Sequence, residues 1–319
     1  MKTGNSIATA AAMALMAVAM HPSTSSAQAA ATDAVVIGVI DTRAEAHFEG
    51  LDIQYRHFGV PTHREGVERM NPKMTHGDVV LKSIADARTA MGDERPYRIM
   101  FANPFVEGPE GRLLMNYKGL TDAVAWFKQN GVRIVSTTFV SPKDTPGMAA
   151  FSKAAGEAGI LVVASIGNGG SKEVPYPAAY ATSLAVDGWH YRKPKDSYYA
   201  DVTRRIDVTF DGSTGVKNRP NGRDAHNDDA QRFTAAPDAS AEVRGSSFAV
   251  AKATALLAAT LGDRVDLQSA KAFMAPASRD RTPFRIDRLE KATVDGRMMA
   301  SNESQDHAGM LMASKANGR

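Results

Sequence analysis

The 319-residue chain has no cysteine, which removes disulfides, thiolate zinc sites and a cysteine nucleophile together. It also lacks a His-Glu-x-x-His run, the commonest signature of a helix-borne zinc peptidase. Charge of either sign is nearly balanced, at a formal net +3, so the electrostatic footprint of a nucleic-acid binder is missing. The short basic patch Arg192-Lys193-Pro194-Lys195 reads as a solvated loop. No internal repeat stands out. Long apolar runs are absent except near the start, where Met1-Lys2 precedes an apolar stretch from Ile7 to Met20 and then Ser26-Ala27-Gln28-Ala29. That order of charge, short apolar core and small-residue site predicts a signal peptide over 1–29, cleaved before Ala30. The product is expected to be exported, periplasmic or secreted, with no membrane span.

What remains alternates in character. Apolar runs rich in Val and Ile predict strands at 34–40, 97–102, 132–139 and 160–165, and helical spacing predicts helices at 78–90, 121–130 and 148–158. A further helix opens at Gly245-Ser246-Ser247-Phe248-Ala249. Strands alternating with helices imply an α/β fold, a three-layer doubly wound and mostly parallel sheet. One domain is expected over 30–292. Within it, residues 191–238 turn charged and rich in Gly, Pro, Asn and Asp, broken by a β-like run at 205–210, and read as a polar insertion. Residues 293–319 lack buried periodicity and read as a disordered tail.

Residues able to do chemistry stand at the ends of these elements. Asp41 closes the apolar strand Val35-Val36-Ile37-Gly38-Val39-Ile40, His76 opens a helix, Asn168 follows the strand Leu161-Val162-Val163-Ala164-Ser165, and Ser247 lies at a helix start. Strand ends are where open α/β sheets collect ligands. The first turn of a helix offers unpaired N–H groups and partial positive charge, suited to an oxyanion beside Ser247. Each residue taken singly also has an ordinary reading, as turn former, helix cap or surface group.

The ordered blocks Val-Ile-Asp-Thr around Asp41, Thr-His-Gly around His76, Ser-Ile-Gly-Asn around Asn168 and Gly-Ser-Ser-Phe-Ala around Ser247 together resemble the subtilisin-like serine peptidases, the subtilase family. Tyr176-Pro177-Ala178 resembles a further family stretch, and the likeness extends from Ala34 to about Ala275. The resemblance implies a subtilisin-like fold and a serine endopeptidase. Ser247 would be the nucleophile, His76 the general base, Asp41 its orienting carboxylate and Asn168 an oxyanion-hole donor. Thr138, Phe139, Val140, Ser165 and Gly167 would line the substrate groove. The alternative is a catalytically weak or inactive subtilase-fold protein that binds peptides.

Departures accompany the likeness. Arg43 stands where the family usually has glycine, Asp78 where it has threonine, Ala251 where it has proline, and Val140 where a glycine commonly lines the specificity pocket. A branched side chain at 140 implies preference for a small residue before the scissile bond. The loop that often holds calcium in the family is reduced to Met91-Gly92-Asp93-Glu94-Arg95, so no cofactor is expected, and structural calcium, which the family allows, is not indicated at that site. A propeptide of domain size has no room before Asp41, which leaves unaided folding or a separate folding or inhibitory partner. His47 is expected to be a surface feature. His57, His63, His190 and His226 are read as loop histidines.

Overall fold

The computed structural model describes residues 34–59, 69–71, 74–109, 113–168, 173–189, 206–217, 242–279, 292–294 and 297–299. The signal-peptide segment, most of 191–238, His63, His190, His226 and residues 300–319 lie outside the described residues.

The strands are β1 Val35–Ile40, β2 Leu51–His57, β3 Arg69–Asn71, β4 Met74–Thr75, β5 Tyr97–Asn103, β6 Phe105–Glu107, β7 Leu113–Met115, β8 Ile134–Thr137, β9 Leu161–Ser165, β10 Ser183–Trp189, β11 Val208–Asp211, β12 Ser213–Lys217, β13 Glu242–Arg244, β14 Ala292–Val294 and β15 Arg297–Met299. The helices are α1 His76–Met91, α2 Tyr117–Gln129, α3 Pro146–Glu157, α4 Ser246–Leu261 and α5 Leu267–Arg279. Seven strands form one sheet in the order β11-β10-β9-β8-β1-β5-β2, and every pair in it is parallel. The expected α/β doubly wound sheet is observed.

The sheet is buried on both faces, which is why its inner strands are continuous apolar runs. Along β1, Val35, Ile37 and Val39 face one core with α1, α4 and α5, where Ile84, Leu256 and Met274 pack. Ile40, Met100 and Val162 face the other, with Leu120 and Phe127 of α2 and Phe151 of α3. Three layers follow from that alternation. α4 is apolar almost all round, and its small residues Ala249, Ala251, Ala253 and Ala255 are fully buried. A helix of that composition belongs inside rather than on a surface.

Local sequence sets the ends. Thr75 caps α1, Asn116 caps α2 by accepting from Gly119 N–H, and Thr145 caps α3 ahead of Pro146. α2 therefore starts four residues before the expected 121, because Asn116 and not the first apolar position decides the start. β8 is shorter than the expected 132–139, since the chain beyond Thr137 leaves the ladder to bond with Asp41. The run expected at 205–210 becomes β11, the seventh strand of the main sheet, so this part of 191–238 is core architecture and not insertion. β2 is a further correction: His57, read as a loop residue, ends this edge strand, and its Nδ1 accepts from Gly59 N–H at 3.0 Å. β14 and β15 pair as an antiparallel ribbon, although disorder is expected from 293.

The order of strands reverses at β1. From β1 the chain builds β2 and β5 to one side, then β8, β9, β10 and β11 to the other. The cleft outside the carboxyl ends of β1 and β8 is thus a topological switch point, the place where such sheets bind ligands. Asp41 and Thr138 follow those two ends.

One buried group on β10 is costly. Asp187 is 6% exposed, and its Oδ1 has no hydrogen-bond partner among the described residues. Burial pushes its carboxyl up to about 7, against a smaller downward pull from the Gly188 N–H. The native state then holds a proton that the unfolded chain, with an ordinary carboxyl near 3.9, has already released. Stability should therefore fall as pH rises from about 4 to about 7 and be flat above. Asp187→Asn is expected to raise the urea midpoint at about pH 8, by a few kcal/mol of stability, and by much less at about pH 5. An equal change at the two pH values in urea titrations would show that Asp187 does not titrate in this range.

Candidate active site

Asp41 is 1% exposed. Both its oxygens lie 2.9 Å from His76 Nδ1. Thr138 donates its hydroxyl to Oδ2 at 2.6 Å, and Thr42 donates its N–H to Oδ1 at 2.6 Å. Burial alone would raise the Asp41 carboxyl, but the charge and hydrogen bond of His76, with the donors from Thr138 and Thr42, hold it below the usual carboxylate range. An ionised carboxylate only accepts, so Nδ1 carries the proton facing it and the other ring nitrogen, Nε2, is the basic one. The His76 ring leans on Phe248, with centroids 5.5 Å apart.

Phe248 is the neighbour of Ser247, so the imidazole stands beside the start of α4. Ser247 is 5% exposed and donates its hydroxyl to the Thr138 carbonyl at 3.3 Å. Thr138 therefore touches both ends of the constellation, Asp41 through its side chain and Ser247 through its backbone. The close seating of the α4 start on the sheet depends on glycine. A Cβ at Gly188 of β10 would stand 2.7 Å from Ser246 N, far inside van der Waals contact.

Asn168 Oδ1 accepts from Ser246 N–H at 2.9 Å and from the Ser246 hydroxyl at 3.0 Å. A backbone N–H can only donate, so this contact fixes which end of the amide is oxygen and turns the NH2 end away from Ser246. Ser246 also shares a 2.6 Å hydrogen bond with Ser165 Oγ, which in turn accepts from Gly167 N–H at 3.0 Å.

The residues expected along the groove divide. Val140 is 42% exposed, and its two γ-methyls would lie 3.5 Å from a Cβ built on Gly167, so Val140 stands directly opposite Gly167 and its methyls fill the space beside that glycine. Phe139 packs between Phe105 and Phe151. Ser165 is a correction: it is 1% exposed, and its hydroxyl is committed to Ser246 and Gly167, so it braces the groove from behind. Thr138 likewise directs its hydroxyl at Asp41. His47 is exposed, as expected. Sequence reasoning did not single out Ser246 as the residue that orients Asn168, because adjacent serines at a helix start look alike until tertiary contacts are known. The reduced loop after α1 holds Asp93 against Arg95 at 2.6 Å and accepts from the Tyr97 hydroxyl at 3.0 Å.

A parallel α/β sheet with a carboxylate, an imidazole and a serine hydroxyl gathered at its switch point defines the class of the protein. The subtilase family model matches residues 32–281, and the chain belongs to that family. Subtilisin BL from Lederbergia lenta is 28% identical over 154 residues, covering 48% of this chain and 54% of the relative. Subtilisin Savinase from the same organism is 31% identical over 67 residues, covering 21% and 25%. The chain thus matches about half the length of the first of these relatives and a quarter of the second. Among solved structures, the self-cleaved protease domain of PatA is similar at a TM-score of 0.51 and 15% identity, over 79% of this chain and 93% of that one. A cold-adapted subtilisin-like serine proteinase gives 0.50 and 13%, over 84% and 89%. Identities this low speak for the fold. Among the described residues, no helix is long and apolar enough to cross a membrane.

Proposed function

We propose that the protein is an exported serine endopeptidase that hydrolyses peptide bonds through Ser247, His76 and Asp41. The observation that carries the reading is the pairing of His76 Nδ1 with both oxygens of buried Asp41 at 2.9 Å, beside the helix start that carries Ser247. Ser247 Oγ turns from the Thr138 carbonyl to the imidazole, attacks the scissile carbonyl carbon and gives its proton to His76 Nε2. Asp41 holds the ring in that tautomer and stabilises it once charged. The oxygen of the tetrahedral intermediate receives the Asn168 NH2 and the Ser247 N–H, two donors whose loss typically costs about 100- to 1000-fold each. His76 then protonates the departing amine, and water, deprotonated by the same imidazole, releases the acyl group from Ser247. A peptide or protein is the substrate, and the residues following β8 and β9 form the groove.

Export rests on the 1–29 leader pattern alone, and N-terminal sequencing of the protein recovered outside the cytoplasm should begin near Ala30. Val140 sets the size of the pocket that receives the residue before the scissile bond, because its methyls occupy the space opposite Gly167. Peptide-library profiling is expected to show cleavage after small side chains, and Val140→Gly is expected to admit larger ones with a gain of roughly 10- to 200-fold on them. Efficient cleavage after Phe or Tyr by the unaltered enzyme would contradict this assignment. No cleavage of any library peptide would favour the peptide-binding alternative.

A further inference from the structure

The first turn of α1 contains a buried carboxylate that the reaction does not use. Asp78 is fully buried, and its two oxygens take three backbone N–H groups: Oδ1 accepts from Glu45 at 2.6 Å and from Ala46 at 2.7 Å, while Oδ2 accepts from Thr75 at 2.7 Å. Thr75 completes the arrangement. Its hydroxyl accepts from Asp78 N–H at 3.1 Å and donates to the Arg43 carbonyl at 2.8 Å. Between them, Gly77 lies so close to the Arg43 backbone that a Cβ there would stand 2.1 Å from the carbonyl oxygen. The chain just after Asp41 and the chain on both sides of His76 are therefore joined at several points within one small volume.

We infer that Asp78 is a positioning residue, which clamps the 43–46 segment to the start of α1 and so fixes the distance between Asp41 and His76. A capping box alone needs only the contacts within 75–78. The two bonds to Glu45 and Ala46 reach across 33 and 32 residues, and they hold the loop that leaves the Asp41 strand. Only a group with two acceptor oxygens can meet the helix cap and the loop at once. An asparagine of the same shape offers one oxygen and, in place of the other, an NH2 that opposes an N–H donor. Because the cap and the loop are held by different oxygens, that exchange must release one of them and let the carboxylate and imidazole drift. A displacement of about 1 Å at such a site is enough to cost on the order of 100-fold in rate.

The inference rests on the triad reading, so its test uses one readout that depends on catalysis and one that does not. The first is the rate of Ser247 labelling by a fluorophosphonate. The second is the proton spectrum, in which a His76 Nδ1 proton bound to Asp41 resonates far downfield. Asp78→Asn is expected to slow labelling by about 10- to 100-fold and to shift or broaden that proton, with an unchanged far-ultraviolet circular dichroism spectrum. Thr75→Val, which keeps the Asp78 carboxylate and its three bonds but loses the hydroxyl's bonds to the Arg43 carbonyl and to Asp78 N–H, should move both readouts the same way by less, and serves if the first variant does not fold. Ala87→Gly, which weakens α1 away from the clamp, should lower the melting temperature and leave both readouts unmoved. Wild-type labelling and an unmoved proton in Asp78→Asn and Thr75→Val would overturn the clamp and leave the peptidase reading intact. An unlabelled wild type whose proton still responds to Asp78→Asn would keep the clamp and remove the peptidase.

Discussion

Ser247→Ala is expected to lower kcat by about a million-fold, with KM changed only a few-fold. The size of the loss comes from the way the three groups act together. Without the hydroxyl, the imidazole held 2.9 Å from Asp41 has no nucleophile to activate, and no acyl-enzyme can form. What survives is the positioning of substrate and the oxyanion donors, worth roughly 1000- to 10000-fold over water. Steady-state hydrolysis of a chromogenic peptide measures the effect. A loss smaller than about tenfold would mean that another group attacks, and would transfer the chemistry away from the start of α4.

The second large effect is expected at Asp41. Asp41→Asn should reduce kcat by about 10000-fold without disturbing the fold. Four donors point at this side chain, from His76 Nδ1, Thr138 Oγ1 and both the N–H and the hydroxyl of Thr42. Asparagine offers one oxygen and one NH2, so one of these donors is opposed by another donor. Where the NH2 meets Nδ1, the ring moves its proton to Nε2 and loses the lone pair that Ser247 needs. The lowered carboxyl of Asp41 adds a stability signature of its own. A group whose native value lies below its unfolded one contributes stability at neutral pH that disappears as pH falls through the native value. Acid unfolding of the wild type should therefore be steeper than that of Asp41→Asn. Coincident acid transitions for the two proteins would show that Asp41 is not ionised in the native state.

The inner strands were legible in the sequence because a strand buried on both faces has no polar side to interrupt it, as in Val35-Val36-Ile37 and Leu161-Val162-Val163. The edge strand β2 was not. Asp52, Gln54, Tyr55 and Arg56 are all exposed, and seven half-polar residues carry little signal without a neighbour to pair with. β11 reads as a β-like run, but nothing local says that it joins the main sheet through Val186 and Val208. The candidate residues Asp41, His76, Asn168 and Ser247 were legible because each closes or opens an element whose own pattern was clear. Their supports were hidden for the opposite reason. The bonds from Asp78 to Glu45, from Asn168 to Ser246 and from Thr138 to Asp41 span 33, 78 and 97 residues, and only folding brings such partners together. Thr138 and Ser165 illustrate the limit. Their sequence positions point to the groove, and both direct their hydroxyls inward to hold other members of the site.

The most direct measurement is covalent labelling of the folded protein with a fluorophosphonate, followed by mass spectrometry of the modified peptide. Modification confined to Ser247, and abolished by both Ser247→Ala and His76→Ala, is the expected result. A folded wild-type protein that takes up no label, or takes it up equally well without His76, would contradict a serine nucleophile activated by that imidazole.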